Sequence, residues 1–169
     1  MLKEFEYIIE TLKNNDIVLQ MNNYKQHFDT TCYEHSYNVA LLSYSICKKL
    51  NLDYVSATRA GMLHDLFLYD WRKRQKGRKG LHGFTHPKTS LQNASKNFNL
   101  NDKEKDIIIK HMWPLTLKFP KYKESFIVSL ADKLCTYNET IEYYKNTGKH
   151  KLVYRFATIL IIFCLIRTT

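Results

Sequence analysis

The sequence is poor in the residues that interrupt helices, with five glycines and three prolines among 169 residues. It also shows no convincing β-hairpin signal, no internal repeat and no low-complexity tract. The hydrophobic content of 44% is that of a chain with a packed core rather than of a disordered one. We therefore predict one compact all-α domain built from long helices.

Paired cysteines and long apolar runs are scarce as well. The four cysteines show no CxxC spacing, so we expect reduced interior residues in a cytoplasmic protein. The N-terminus is amphipathic and has no uninterrupted apolar core of the kind found in a signal peptide. The segment Leu152–Ile166 is apolar, but its 15 residues fall short of the ~20 that a spanning helix needs. We expect a buried closing helix over 150–167, with a membrane-seeking tail as the alternative.

Negative charge is in the minority, because 26 Lys and Arg stand against 16 Asp and Glu. A net charge of +10 favours anionic partners such as phosphates, nucleotides, nucleic acid or an acidic membrane surface, without choosing among them. Six of the cations lie between Arg72 and Lys79, in an irregular segment that also holds several glycines.

Apolar periodicity and capping residues predict six helices before the closing one. The first covers Leu2–Asn14, with an apolar stripe of Phe5, Ile8, Ile9 and Leu12. The others are expected at Glu34–Leu50, from a cap at Asn51 or Asp53 to about Leu66, from a cap at His86, from a cap at Asp102 towards Pro114, and at about Glu124–Lys145. In the second helix, Val39, Leu42, Ile46 and Leu50 form the expected buried stripe, and His35 precedes them on it.

Six residues of the types that bind metals recur at intervals of about one helix and a turn. Each lies at a predicted helix end or on an inward face: His35, His64, Asp65, His86, His111 and Asp132. Antiparallel helices with such spacing can bring their ligands to a common point. A buried carboxylate such as Asp132 needs a cation or strong donors beside it, since its desolvation is costly. A single histidine would more commonly be a satisfied core residue, so the evidence is the whole series.

This series, H…HD…H…H…D, resembles the HD-domain superfamily of metal-dependent phosphohydrolases, and the six positions match its two-metal subgroup. The segments around the ligands look like those of small stand-alone bacterial HD proteins, from about residue 32 to 142. The resemblance implies a helical bundle with a central metal site and a single HD domain over 1–169. The mixed imidazole and carboxylate ligands suit one or two divalent ions of Fe, Mn, Zn, Co or Ni better than Mg²⁺.

The family pattern also implies the role of each ligand. His35, His64, Asp65 and Asp132 would hold one ion, and Asp65 would bridge to a second ion at His86 and His111. Asp65 and His64 would be the central catalytic residues. The implied function is hydrolysis of a phosphomonoester or phosphodiester by metal-activated water. Two alternatives stay open: a di-iron, O₂-dependent oxygenase of the HD fold, and a non-enzymatic basic module that binds nucleic acid or lipid headgroups.

The substrate is less visible than the metal site. The HDIGK segment of cyclic-dinucleotide phosphodiesterases is absent, and so is the acidic pair that (p)ppGpp hydrolases carry after HD. We expect a phosphorylated small molecule or nucleotide, with nucleic acid less favoured and a membrane partner not expected. The candidate substrate contacts are Arg72, Arg74, Arg78 and His82. The alternative for this basic segment is a solvated charged loop.

Overall fold

A computed structural model of the chain describes residues 2–73 and 80–147. These residues form seven α-helices and one small hairpin, which confirms the all-α prediction. The elements are α1 (Leu2–Lys13), α2 (Asp16–Leu19), β1 (Lys25–His27), β2 (Thr30–Thr31), α3 (Cys32–Lys49), α4 (Tyr54–Leu63), α5 (His82–Asn97), α6 (Asp102–Lys110) and α7 (Lys123–Thr147), with a 3₁₀ turn at Gln20–Asn23. The predicted closing helix at 150–167 lies outside the described residues.

Helix α3 is the centre of the fold. It packs most extensively on α4 and next on α7, while α6 contacts α4, α5 and α7. Helix α1 contacts α4, and three residues of its predicted stripe, Phe5, Ile9 and Leu12, are buried. Within residues 2–73 and 80–147, no helix combines the length and apolarity that crossing a bilayer requires.

The hairpin between α2 and α3 corrects the expectation of a chain without one. Strand β1 pairs antiparallel with β2, with Lys25 opposite Thr31, and Phe28 takes a positive φ of 47° in the turn. The Phe28 ring stacks on Tyr143 of α7 at a centroid distance of 4.2 Å. Strands of three and two residues are too short to show an alternating pattern, and tertiary packing holds the hairpin in place.

Helix α3 begins at Cys32 because Thr31 caps it. The Thr31 hydroxyl accepts from the Glu34 N–H, and the Glu34 carboxylate accepts from the Thr31 N–H, which forms a capping box. The predicted buried stripe is partly wrong: Val39 is buried, but Leu50 is 57% exposed. The buried face instead carries small and polar residues such as Ser36 and Ser43, because α3 is packed on two sides rather than along one stripe.

A close crossing sets the distance between α3 and α4. A Cβ atom built on Gly61 would lie 3.0 Å from the Ala40 Cα, so only glycine allows the two backbones to approach this closely. The crossing brings His35 of α3 near the end of α4, where His64 and Asp65 follow. The approach of these two helices therefore positions one half of the candidate site.

Several helix boundaries differ from the predictions, among them the start of α3 at Cys32 rather than Glu34. Asp53 caps α4, as one of the two expected alternatives, but α4 ends at Leu63, before His64. Helix α5 begins at His82, one turn before the predicted cap at His86; its first turn is held by bonds from the Phe84 N–H and the Thr85 hydroxyl to the Leu81 carbonyl.

Helix α6 is capped by Asn101 rather than by Asp102. Its side chain accepts from the Glu104 N–H, and the Glu104 carboxylate completes a second capping box. An Asn-Asp pair offers two capping residues in a row, and the position of Glu104, three residues after Asn101, decides between them. Among the described cysteines, Cys32, Cys47 and Cys135 are free and buried, as predicted, whereas Cys164 lies outside the described residues.

Candidate metal centre

The structure brings the six predicted ligand residues together in the interior. Their exposed fractions run from 0% for His35 and His64 to 8% for Asp132. They come from five places in the helical framework: α3, the residues after α4, α5, the residue after α6, and α7. Burial of six ionisable side chains at one point is costly unless the charges are balanced within the group.

The first ligand group consists of His35, His64 and Asp132. The Asp132 Oδ1 atom lies 3.1 Å from the Nε2 atom of His35 and 3.7 Å from that of His64. Donor atoms that each stand about 2.1 Å from one ion are about 3–4 Å from each other. The separations in this group therefore fit donors that surround a single cation.

The second ligand group consists of His86 and His111. Their Nε2 atoms are 2.7 Å apart, and they lie 3.1 Å and 3.5 Å from the Oδ1 atom of Asp65. This group has no carboxylate of its own.

Asp65 lies between the two groups and is shared by them. Its Oδ1 atom faces the second group, while its Oδ2 atom lies 3.3 Å from the His64 Nε2 and 4.0 Å from the His35 Nε2. Each carboxylate oxygen is thus directed at a different group. This is the geometry required of a carboxylate that bridges two ions.

All four histidines present Nε2 to the interior because an acceptor outside the site holds Nδ1. The acceptor of His35 is the Glu139 carboxylate, and the other acceptors are backbone carbonyls. The distances from Nδ1 to the acceptor oxygen are 2.9 Å for His35 and the Glu139 carboxylate, 2.7 Å for His64 and the Gly61 carbonyl, 2.8 Å for His86 and the His82 carbonyl, and 2.8 Å for His111 and the Ile108 carbonyl. A carbonyl cannot donate, so Nδ1 carries the hydrogen and the Nε2 lone pair is left for a metal.

His64 and His111 reach this orientation by the same local device. Each is the residue that follows the last turn of a helix, and each donates to the carbonyl three residues earlier, in Gly61 and Ile108. The last carbonyls of a helix have no intrahelical partner, so they are available to such a side chain. The ends of α4 and α6 thereby determine both the position of these two imidazoles and the nitrogen, Nδ1, that carries the hydrogen.

Two atoms at the centre have no hydrogen-bond partner although they are buried: Nε2 of His64 and Oδ1 of Asp65. Unsatisfied buried polar atoms are costly and rare in folded proteins. The two Nε2 atoms of the second group also face each other at 2.7 Å, with both lone pairs directed inward. A cation satisfies all of these acceptors at once, so the donor set fits divalent metal ions.

The pKa values of His35, in the first group, and of the shared Asp65 show how protons and metal ions compete for these side chains. Burial lowers the pKa of His35, but the hydrogen bonds to Asp132 and Glu139 outweigh burial and raise it to about 9. Burial also raises the pKa of Asp65, yet the neighbouring His64 and His86 hold it well below its usual value. The carboxylates are therefore ionised, as metal ligation requires.

His111 of the second group behaves in the opposite way. Burial and the neighbouring His86 lower the pKa of His111 to about 3. A neutral imidazole is the form that binds a metal, and here no proton has to be displaced from His111 near neutral pH.

Sequence reasoning missed two residues that support the ligands. Glu139 is buried on α7 and accepts from His35, and Gln26 on β1 donates from Nε2 to the Asp65 Oδ2. Glu139 follows Asp132 by seven residues, which places it on the same face of α7, and this spacing is the signal that could have found it. For Gln26 no such signal exists, because the hairpin that positions it was not predicted.

Of the four candidate substrate contacts, the structure describes His82 and Arg72. His82 stacks on the His86 ring at 4.4 Å and on Trp71 at 5.2 Å, and its Nδ1 lies 3.0 Å from the Tyr69 hydroxyl. Arg72 is half exposed and binds the Asp70 carboxylate. Arg74 and Arg78 lie outside the described residues.

Lys133 adds a positive charge next to the first group. Its Nζ atom lies 4.0 Å from the Asp132 Oδ2 and donates to the carbonyls of His111 and Ser129. It thus joins α7 to the end of α6. Burial raises the pKa of Asp132, but the hydrogen bonds with His35 and His64 hold it well below its usual value, and the charge of Lys133 adds to their effect.

Comparison with known proteins identifies the family. The model of the HD domain matches residues 32–137, which is more than half of the chain and includes all six predicted ligand residues. The chain belongs to the HD domain family, a superfamily of metal-dependent hydrolases. No curated protein and no solved structure matches the chain significantly.

Proposed function

We propose that this protein is a phosphohydrolase of the two-metal HD type that acts on a phosphorylated small molecule or nucleotide in the cytoplasm. One observation carries the proposal: four imidazole Nε2 atoms and two carboxylates face one another in a buried site, with Asp65 directing one oxygen to each ligand group. A single-metal site would leave the second group without a function. Membership of the HD domain family supports hydrolysis as the type of reaction.

In this proposal His35, His64, Asp65 and Asp132 hold one divalent ion, and Asp65, His86 and His111 hold the other. Bound ions would lower the pKa of a water molecule and stabilise the charge on the phosphoryl oxygens. Asp65 and His64 occupy the centre of the arrangement, so we assign them the central role in catalysis.

The chain's own charges favour an anionic substrate. The ligand set contains two carboxylates and four neutral imidazoles, so it would not neutralise two divalent ions. Glu139 adds one further negative charge behind His35, while Lys133 adds a positive charge beside Asp132. A phosphate group would be attracted to such a site.

His82 is the residue that we place at the leaving group. Its ring lies against the ligand His86, yet its nitrogen atoms belong to neither ligand group, and its Nδ1 contacts the Tyr69 hydroxyl. A histidine in this position can hold the leaving oxygen and supply a proton to it. Arg72, Arg74 and Arg78 are proposed to bind the rest of the substrate, with guanidinium groups suited to phosphate oxygens.

The test is an activity screen on the full chain loaded with Mn²⁺, Fe²⁺, Zn²⁺, Co²⁺ or Ni²⁺. Phosphomonoesters, phosphodiesters and nucleotides are offered with and without O₂, and phosphate release and O₂ uptake are both measured. The proposal expects phosphate release that is independent of O₂ and absent in Asp65→Ala. Substrate-dependent O₂ uptake by the iron form would instead indicate an oxygenase.

A further inference from the structure

A cluster of large apolar side chains is exposed beside the second ligand group. We call it the apolar rim, and it consists of five residues from two segments. Their exposed fractions are 73% for Leu81, 53% for Phe84, 50% for Leu115, 87% for Leu117 and 68% for Phe119. Single exposed leucines are ordinary on protein surfaces, but five bulky apolar groups together mark an interaction site.

The two segments of the apolar rim touch each other. A Cβ atom on Gly83 would lie 3.2 Å from the Leu115 Cδ2 and 3.8 Å from the Met112 Cε, so the first turn of α5 rests on the residues that follow α6. Trp113 lies under the rim, with its ring 5.5 Å from that of Phe119. The rim is thus a supported surface rather than a set of separate side chains.

Each segment of the rim also carries a metal-ligand candidate. Phe84 precedes His86 by two residues, and Leu115 follows His111 by four. Whatever binds the rim therefore lies close to the second ligand group.

The charge of the chain is concentrated on the same two stretches of sequence. Residues 71–101 and 107–123 contain 12 Lys and Arg and no Asp or Glu, whereas the rest of the chain has 14 Lys and Arg against 16 Asp and Glu. Both segments of the rim therefore lie in stretches of sequence that are basic and contain no acidic residue.

Four exposed lysines border the rim: Lys88, Lys118, Lys121 and Lys123. Lys88 follows Phe84 by one helical turn on α5, and Lys118 lies between Leu117 and Phe119. Within residues 2–73 and 80–147, none of these four lysines forms a salt bridge with a carboxylate. Apolar side chains that can enter a bilayer, interleaved with lysines that have no carboxylate partner among the described residues, match the chemistry of an anionic lipid surface.

We propose that the apolar rim docks this protein on an anionic lipid bilayer, with Leu117 and Phe119 entering the headgroup region and Lys118 and Lys121 contacting lipid phosphates. A second copy of the chain is a poorer occupant, because a two-fold contact through this surface would bring the same lysines together. The sequence alone does not favour a membrane partner, since its apolar stretch at 152–166 is short. The rim is formed by the first turn of α5 and by the loop after α6, and the exposure of these residues depends on the tertiary structure.

The experiment is co-sedimentation of the full chain with two kinds of vesicle: pure phosphatidylcholine, and equal parts phosphatidylcholine and phosphatidylglycerol. The parent chain should bind the anionic vesicles at least tenfold more tightly, and binding should weaken as salt is raised. Leu117→Ser with Phe119→Ser should reduce binding about tenfold or more. The matched control is Leu2→Ser with Leu50→Ser, which alters two comparably exposed leucines outside the rim and should leave binding unchanged.

A second pair of variants tests the cations. Lys118→Gln with Lys121→Gln should weaken binding to anionic vesicles about fivefold for each lysine. Lys3→Gln with Lys49→Gln removes the same charge from exposed sites elsewhere and should have a smaller effect.

Three results would overturn the proposal. The parent chain could fail to bind anionic vesicles, or the rim variant could bind them as well as the parent does. Sedimentation velocity could also show a parent dimer that the rim variant dissociates while vesicle binding is unaffected, which would assign the rim to self-association. Because vesicle binding is measured without turnover, none of these results bears on the proposed hydrolase activity.

Discussion

The two ligand groups differ in how their charges are balanced. The first group has its own carboxylate, Asp132, and a second one behind it, Glu139, which accepts from His35. The second group has two imidazoles and only the shared carboxylate of Asp65. The helices differ too, since α3, α4 and α7 form the packed centre, whereas α5 rests mainly on α6. From this comparison we infer that the first group would bind a cation more strongly than the second group, which depends on the Asp65 carboxylate.

The largest effect is expected from Asp65→Ala, because this change removes the only residue common to both groups. Metal content should fall from two ions per chain to fewer than one, and turnover should fall at least about 100-fold. Elemental analysis after dialysis measures the metal content, and circular dichroism checks that the helices remain. Full metal content with full activity in this variant would show that the site is wrongly assigned.

The next largest effect is expected from variants that remove one ligand from a single group. His111→Ala should leave one tightly bound ion per chain, whereas His35→Ala should lose the stronger of the two ions, because its group has more negative charge. Titration with Zn²⁺ monitored by calorimetry distinguishes one binding event from two. Equal losses in both variants would remove the difference between the groups.

Glu139→Gln tests the support behind His35. Replacing the carboxylate by an amide removes the negative charge that orients and polarises the imidazole, and loss of such a partner typically weakens metal binding about 10- to 100-fold. Only the first group should be affected. Glu142→Gln is the matched control, since Glu142 lies on the same helix but is exposed. A Glu139→Gln chain with unchanged metal affinity would limit Glu139 to a packing role.

The pH dependence should differ between metal-free and metal-loaded protein. The pKa of His35 is raised by Asp132 and Glu139 to about 9, despite burial. The stabilising ion pairs are complete below the unfolded value of about 6.5 and are lost as pH rises through about 9. Metal-free protein should therefore lose thermal stability over this range, while the increase in Tm caused by metal should grow. If the increase in Tm caused by metal became smaller as pH rises, protons and metal would not be competing for His35.

The smallest effect is expected outside both groups. Neutralising Arg72, Arg74 and Arg78 together should raise KM for the substrate several-fold and leave metal content unchanged, because these residues are proposed to bind substrate and not metal. Steady-state kinetics and elemental analysis measure the two quantities. Loss of metal in this variant would show that the basic segment has a structural role.

Sequence patterns predicted which metal-binding side chains the fold brings together and which helices position them, because metal-binding side chains and apolar periodicity are local properties. They did not predict the tautomers: that His64 donates to Gly61 and His111 to Ile108 depends on where α4 and α6 end. The predicted end of α4, near Leu66, hid this arrangement. Gln26 was missed for the same reason, since the hairpin that carries it is specified by tertiary packing rather than by its own sequence.

The burial of α3 shows a similar limit. Its apolar residues predicted a single stripe through Leu50, but the buried face includes Ser36 and Ser43. Close helix crossings, such as that of Gly61 and Ala40, favour small side chains over large apolar ones. Periodicity finds a helix that is buried on one face more readily than one packed on two.

The central claim is that six residues form one site for two ions that share Asp65. Crystals of the full chain soaked with Mn²⁺ or Zn²⁺ and measured at the metal absorption edge would test it most directly. The account predicts two anomalous peaks, one on each side of the Asp65 carboxylate, with His35, His64 and Asp132 at one peak and His86 and His111 at the other. Peaks elsewhere on the molecule, with none beside Asp65, would contradict it.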